Sequence, residues 1–424
     1  MNQTNAILML SVHGYVAGEP ELGKPDTGGQ VVYVLELAKR FSRLGYHVDL
    51  ITRRFENQPE SDEVNENFRV WRIPFGGRDF IRKEDMHDHL GDFVTNCLAA
   101  IRNRGRQYSV VYSHYWDGGW AGQKIAEELA IPHVHTPHSL GWWKQHNMGA
   151  DMDKQEMEKT YRFEERIRQE FLVYRNCDHI IATTEPQTEL LQANYDVLER
   201  QITVIPPGMD ENRFSPVRQE DVAILRERYD FKDHDVFVVG RMAHNKGYDL
   251  LLKAMPTVID LVPDARLIAA IGSEDSKQDD EGVANLKALA KELGLAKKIK
   301  WIQYVPDEQL ADHYRAGCVF ALSSRYEPFG MTAIEAMACG TPAVVTVHGG
   351  LFEIIDYGTQ ALFADPNRPV EYGTMLALPM LYPRLAHELS VEGSRFARRN
   401  FGWTGIAKRV IAIFERVQSA GYEA

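Results

Sequence analysis

The densest grouping of residues able to do chemistry is Ser323-Ser-Arg-Tyr-Glu-Pro-Phe-Gly-Met-Thr-Ala-Ile-Glu335. An apolar run ending at Leu322 predicts a strand, Glu327-Pro-Phe-Gly330 a loop, and Met331 onward a helix. The unbonded N–H groups at such a helix start, those of Gly330, Met331 and Thr332, attract an anion or a polarised hydroxyl. Glu327 before the helix and Glu335 about one turn inside it would grip sugar hydroxyls. The competing reading makes Glu335 a helix-surface acid and Glu327 a partner of the helix N-terminal dipole. Ala333, Ala336, Met337 and Ala338 argue against it, because they predict a buried helix and a buried acid needs a partner. A second loop, Gly240-Arg-Met-Ala-His-Asn-Lys-Gly247, follows the strand-like Val236 to Val239. Arg241 and Lys246 there suit a diphosphate, the guanidinium forking onto two oxygens and the ammonium acting as a point charge. A surface loop with two cations fits that spacing equally well.

The N-terminal half carries weaker signals of the same kind. Gly23-Lys-Pro-Asp-Thr-Gly-Gly-Gln30 delivers Gly28 and Gly29 to a predicted helix start, another place for an anion or a hydroxyl, or a plain turn. There is no Gly-x-Gly-x-x-Gly directly after the first strand, which argues against an NAD-dependent dehydrogenase. Arg78, Arg82 and Lys83 cluster just after a predicted strand ending at Pro74; Lys144 and Arg166 are further cations. Together they would surround a phosphate, although a solvated charged turn is the usual fate of such a cluster. His114 and His138 each end a strand-like run, where a histidine is most often structural. Pro137 stiffens the exit before His138 and points it at the strand rim. Its ring could donate to a substrate hydroxyl, or its carbonyl could face a developing positive charge.

These loops need elements to hold them. Short β-rich runs alternate with helical stretches along the chain, beginning with Ala6 to Val12 and a helix from about Gln30 to Leu44 with Val31, Val34, Leu35, Ala38, Phe41 and Leu44 on one stripe. The βαβ rhythm implies parallel sheets covered on both faces. It restarts after Ile202-Thr-Val-Ile-Pro-Pro-Gly208, and a last helix, about Thr404 to Val417, presents Ile406, Val410, Ile413 and Val417. The expected fold is α/β, two Rossmann-like doubly wound domains facing across a cleft. Ligands bind beyond the carboxyl ends of strands in such sheets, so the loops after strands should carry the chemistry.

Composition excludes other classes. Lys plus Arg total 48 against 60 Asp plus Glu, a net charge of −12, so a nucleic-acid partner is not expected. The four cysteines form no CxxC pair, which predicts neither a zinc site nor a disulfide framework and fits a cytoplasmic setting. No acidic metal cage is evident. The first apolar run lacks a basic leader, and no stretch approaches the roughly 20 residues of a membrane helix, so neither a signal peptide nor a membrane partner is expected.

At these motifs the chain resembles retaining nucleotide-sugar glycosyltransferases with two Rossmann-like domains. Asp26-Thr-Gly-Gly-Gln-Val-Val-Tyr-Val34, Arg72-Ile-Pro-Phe-Gly76, His135-Thr-Pro-His-Ser-Leu-Gly141 and Val204-Ile-Pro-Pro-Gly208 narrow this to the sucrose-phosphate synthase group, with its close mannosylfructose-phosphate synthases. The resemblance implies the B-type glycosyltransferase architecture. Residues 1–206 would be the sugar-phosphate acceptor domain, 207–402 the nucleotide-sugar donor domain, and 403–424 a helix returning to the first. It implies that Gly28, Gly29, Gln30, Lys83, Lys144 and Arg166 bind fructose 6-phosphate, and that His138 stands at the reaction centre. Arg241 and Lys246 would clamp the diphosphate; Glu327, Phe329, Gly330, Met331 and Thr332 would hold the donor sugar; Glu335 would hold the ribose. The expected reaction makes sucrose 6-phosphate from UDP-glucose, a co-substrate in place of any bound cofactor. The second choice is GDP-mannose giving mannosylfructose phosphate. Trp142-Trp143 and His244-Asn-Lys-Gly247 depart from the plant-type synthases, and the latter resembles the mannosylfructose branch. With no appended phosphatase-like segment, a separate sucrose-phosphate phosphatase is an implied partner. Other readings are a sucrose synthase-like enzyme, an epimerase or phosphorylase on the same plan, and a non-catalytic sugar-nucleotide sensor. The basic cluster speaks against the epimerase, and the intact Arg241, Lys246, Glu327 and Glu335 against the sensor.

Overall fold

The computed structural model describes residues 5–19, 29–147, 153–272, 277–327 and 329–420. The chain divides into two compact units, residues 1–208 with 403–424, and residues 209–402. Each has its own α/β layers.

The first unit is built on eight strands: β1 (Ala6–Leu10), β2 (His47–Arg54), β3 (Ser61–Asn65), β4 (Phe68–Pro74), β5 (Val110–His114), β6 (His133–Thr136), β7 (His179–Ala182) and β8 (Ile202–Val204). Their order in the sheet is β3-β4-β2-β1-β5-β6-β7-β8. β1 is buried along its whole length because helices cover both faces. Ile7 and Met9 pack into a core with the helices Gly29–Arg43 and Trp403–Ala420, where Phe414 stacks edge-on against Tyr112. Leu8 and Leu10 face the opposite core, with the helices Leu90–Arg104 and Tyr115–Leu129. The last helix of the chain therefore belongs to the first unit. Every strand pairing is parallel except β3 with β4. This corrects the expectation of wholly parallel sheets. Ser-Asp-Glu-Val-Asn is polar and only partly covered at the sheet edge, so no apolar run announced it.

The second unit has six parallel strands: β9 (Asp235–Gly240), β10 (Arg266–Ile271), β11 (Ile299–Ile302), β12 (Val319–Leu322), β13 (Ala343–Thr346) and β14 (Leu362–Ala364), ordered β11-β10-β9-β12-β13-β14. The order reverses between β1 and β5 in the first sheet and between β9 and β12 in the second. The loops after those four strands sit at the crevices where such folds bind ligands. Among the described residues, no helix is long and apolar enough to cross a membrane, and no group of three or more His, Cys, Asp or Glu is placed to hold a metal ion.

Candidate functional site

In the second unit the loops after β9 and β12 are tied together. Lys246 Nζ donates to Glu327 Oε2 at 2.6 Å, and Ser324 Oγ donates to the same oxygen at 3.1 Å. Arg325 forks onto Asp249 at 2.7 and 2.6 Å, and its backbone N–H donates to the Asn245 carbonyl. Lys246 is not an exposed cation: its side chain is 25% accessible and ion-paired to a carboxylate that is 12% accessible. Arg241, by contrast, is exposed. The close approach of the loops demands glycine at two places. A Cβ on Gly247, which adopts φ +64°, would lie 2.2 Å from the Ser323 carbonyl oxygen, and one on Gly349 would lie 2.1 Å from that of Glu327. Gly330 caps the helix Met331–Ala338, with Met331 and Thr332 half-buried in its first turn. The Phe329 ring packs edge-on against Phe401, 5.3 Å between centroids.

Glu335 has the partner its buried helix required: the Tyr314 hydroxyl donates to Oε2 at 2.8 Å. Burial pushes the carboxyl up to about 7, against the opposing effect of that hydrogen bond. The group is thus poised between its neutral and charged forms near neutral pH.

In the first unit, Lys83, Lys144 and Arg166 converge on one recess of about 110 Å³, lined also by Glu84, His87, Tyr115 and Trp116. Lys83 comes from the 3-10 segment Lys83–His89 after β4, Lys144 from the helix Gly141–Asn147 after β6, and Arg166 from the helix Phe163–Asn176. Arg166 is held rigidly. Its Nε donates to Glu170 at 2.7 Å, one terminal nitrogen donates to the Tyr115 hydroxyl at 2.8 Å, and the other donates to the Ser139 carbonyl at 2.8 Å. Glu170, fully buried, also accepts from the Gly141 N–H and so fixes the start of the helix that carries Lys144. Burial, then the positive charge of Arg166 and Lys83, pushes the Lys144 ammonium down to about 8. An anion entering the recess would reverse the last two effects. The basic cluster splits here. Arg82 is 53% exposed and paired with Asp85 at 2.9 Å, and Arg78 is exposed, so neither lines the recess.

Gly29 opens its helix, and Gln30 Nε2 donates to Ser11 Oγ at 3.3 Å, just past β1; Gly28 lies outside the described residues. His138 adopts φ +59°, a left-handed conformation unusual for a residue with a Cβ. Its Nε2 lies 3.0 Å from His114 Nδ1. Burial, reinforced by His13, holds the His138 ring down to about 3, and burial also depresses His114, so both are neutral at pH 7. His138 is therefore a hydrogen-bonding group at neutral pH, not an imidazolium.

Three neighbours escaped the sequence reading. His13, two residues past the loop start after β1, donates from Nδ1 to Asp117 Oδ2 at 2.8 Å; Asp117 is wholly buried and also accepts from the Gly118 N–H. Tyr115 stands in the left-handed region at φ +66°, with its ring 4.7 Å from that of His13. The signal that could have found them is position: His13 follows β1 and Tyr115 and Asp117 follow β5, the pair of strands flanking the switch in strand order.

Comparison with known proteins agrees with this geometry. Residues 27–213 match the description Glycosyltransferase Family 4, and residues 223–389 match Glycosyl transferases group 1. The mannosylfructose-phosphate synthase of Agrobacterium fabrum is 50% identical over 96% of this chain and 91% of its own length. A D-inositol 3-phosphate glycosyltransferase of Corynebacterium jeikeium is 31% identical over 98% of both. The structure of a sucrose-phosphate synthase from Thermosynechococcus elongatus superposes with a TM-score of 0.74 at 27% identity, covering 98% of this chain and 99% of that one. A relative this similar over nearly its whole length, together with two α/β units that each place polar loops at a strand-order switch, identifies the chain as a glycosyltransferase of the B-type fold, in the sucrose-phosphate synthase group.

Proposed function

We propose that the chain transfers a hexosyl group, with retention, from a nucleoside diphosphate hexose to the anomeric hydroxyl of fructose 6-phosphate. The observation that carries the acceptor half is the recess where Lys83, Lys144, Arg166 and the Tyr115 hydroxyl meet in a chain of net charge −12. Such a concentration of cations suits a phosphate dianion. Residues 1–206 then form the acceptor domain, with Gly28, Gly29 and Gln30 near the sugar and His138 and His13 at the strand rim. Residues 207–402 form the donor domain. Arg241 and Lys246 meet the diphosphate, the loop of Glu327, Phe329, Gly330, Met331 and Thr332 meets the hexose, and Glu335 the ribose.

In the reaction the bond from the hexose anomeric carbon to the phosphate oxygen breaks. The bond to the fructose oxygen forms on the same face, and the departing phosphate oxygen takes the acceptor proton. Arg241, Lys246 and the N–H groups at the start of Met331–Ala338 stabilise the charge that develops on the diphosphate. Removing one such donor typically costs about 2.7–4 kcal/mol of barrier. The Lys246–Glu327 pair keeps the ammonium aimed before the donor arrives.

GDP-mannose is the favoured donor, and mannosylfructose phosphate the product, because of the 50% identity over nearly the full length of a mannosylfructose-phosphate synthase. That moves UDP-glucose and sucrose 6-phosphate to second place, where the 27% identical sucrose-phosphate synthase structure supports them. Either product keeps its phosphate, so a phosphatase is the class of enzyme that acts next. The setting we infer is cytoplasmic. Turnover measured side by side with the two donors tests the choice: faster transfer from UDP-glucose would overturn the order. Lys144→Ala should shrink the preference for fructose 6-phosphate over fructose by about tenfold or more, the worth of one charge-assisted hydrogen bond. An unchanged preference would remove the phosphate from this recess.

A further inference from the structure

His87 lines the same recess as Lys83, Lys144 and Arg166. Its ring stacks on the Trp116 indole, 3.9 Å between centroids at 16°, and its side chain is 3% exposed. Nδ1 faces Glu165 Oε1 at 3.6 Å, a separation suited to an ion pair and too long for a hydrogen bond. Nε2 is buried with no hydrogen-bond partner among the described residues. A buried polar atom without a partner is costly, and packing alone does not explain it, since a phenylalanine would stack on Trp116 without that cost. What the recess already holds, three cations and a tyrosine hydroxyl, gives Nε2 a natural partner in an anion's oxygen.

We propose that His87 is a further acceptor-binding residue, donating from Nε2 to a phosphate oxygen of the sugar phosphate while Glu165 holds Nδ1. This rests on the reading that the recess takes the acceptor phosphate, and adds to it a proton. With Nε2 donating to the phosphate and Nδ1 ion-paired to Glu165 at 3.6 Å, the ring is an imidazolium, so binding the sugar phosphate takes up a proton. Burial holds the ring of the free protein down to about 4, chiefly by desolvation, with Glu165 opposing and Arg162 assisting. Around it stand Lys83, Glu84 and Asp88 from its own segment, and Tyr115 and Asp117 from the helix after β5. Lys144, Tyr161, Arg162, Glu165 and Arg166 complete the ring of charged and titratable groups. The cations suppress the imidazolium and the carboxylates favour it; two added negative charges tip the balance. Affinity for the sugar phosphate should therefore rise as pH falls from about 8 toward about 6.5, above the second ionisation of the phosphate itself near 6. Lys144, pushed down to about 8, contributes to the upper part of that rise. The lower part belongs to His87.

Calorimetric titration of the intact protein with fructose 6-phosphate, and with inorganic phosphate as a simpler probe, tests this. At pH 7, in buffers of different ionisation enthalpy, the unmodified protein should take up about half a proton per sugar phosphate bound; no uptake would overturn the proposal. His87→Phe keeps the stack and removes both nitrogens. It should weaken fructose 6-phosphate binding about tenfold at pH 6.5 and flatten the lower part of the pH dependence, with donor KM unchanged. His87→Gln, which can still donate but cannot ionise, should restore part of the affinity and none of the pH dependence. His87 is a packing residue only if both variants keep wild-type affinity and slope. The Lys144→Ala control separates the two levels of the argument. If it weakens phosphate binding while the His87 variants do not, the His87 assignment alone fails. If it too leaves binding unchanged, the recess is not an anion site and the acceptor reading falls with it.

Discussion

Glu335 is a carboxyl kept from its solution chemistry by one tyrosine and a wall of apolar helix. The Tyr314 hydroxyl is its hydrogen-bond partner, while Ala333, Ile334, Ala336 and Met337 around it are buried. With the folded pKa at about 7 and an ordinary carboxylate value unfolded, the folded state holds the proton more tightly. The sign follows. The stability this arrangement contributes is fully present below about pH 4.5 and is lost as pH rises through about 7. Glu335→Gln should remove that loss, so the melting temperature of the variant should exceed that of the parent above about pH 7 and converge with it in acid. If Glu335 binds the ribose, donor KM should rise with little change in kcat, because a ribose contact is alike in ground and transition states. A variant less stable at pH 8 would contradict the burial argument; a variant with lowered kcat and unchanged KM would contradict the ribose role. At this scale the sequence was partly legible. The alanine-rich helix announced that Glu335 needed a partner, but nothing local named Tyr314, which lies 21 positions away. The His13–Asp117 pair, 104 residues apart, was hidden for the same reason.

Elements position these residues by tight contact between loops. The segment from Arg241 to Asp249 is pinned to the segment from Ser323 to Glu327 through Arg325–Asp249, Lys246–Glu327 and the Ser323 hydroxyl on the Lys246 carbonyl. Gly247 lets the two backbones meet. Gly247→Ala puts a Cβ 2.2 Å from a backbone oxygen at a positive φ, and neither the carbonyl nor the turn can yield cheaply. It should destabilise the second unit by about 2 kcal/mol or more. Asp249→Asn keeps the fold and loosens the Arg325 fork, so it should lower turnover through misplacement of Lys246 with a small change in melting temperature. Denaturant unfolding and steady-state kinetics on the two variants check both outcomes; normal turnover in Asp249→Asn would mean that the fork does not position the loop. The rule that ligand loops follow parallel strands made these two loops legible, since Val236 to Val239 and the run ending at Leu322 are plain apolar strands. The partner side chains that tie the loops, Arg325 and Asp249, were not, because a charged pair 76 residues apart leaves no local periodicity. β3 was missed for the opposite reason: a polar edge strand carries no apolar run.

The doubly wound architecture as a whole was legible because alternating buried strands and amphipathic helices leave a strong pattern. The histidines buried in it were not, since a histidine in a strand looks the same whether it is exposed or wedged beside Ser113. In the first unit, His87, His114, His133, His135, His138 and His179 all have their pKa lowered by burial, His133 to about 3 and His179 to about 4; in the second unit only His313 is so affected among the described residues. A histidine with a lowered folded pKa contributes stability above its unfolded value near 6.5 and loses it as pH falls toward the folded value. The first unit should therefore lose stability more steeply than the second between about pH 6.5 and about pH 4. Hydrogen exchange read separately on the two units measures this, and equal slopes would contradict it. The most direct measurement of sugar phosphate-dependent hexosyl transfer is release of nucleoside diphosphate from GDP-mannose and from UDP-glucose, each with fructose 6-phosphate, with fructose and with no acceptor. The account predicts release that requires fructose 6-phosphate, runs faster with GDP-mannose, and yields a phosphorylated disaccharide. Release that is equally fast with unphosphorylated fructose, or that needs no acceptor, would contradict it.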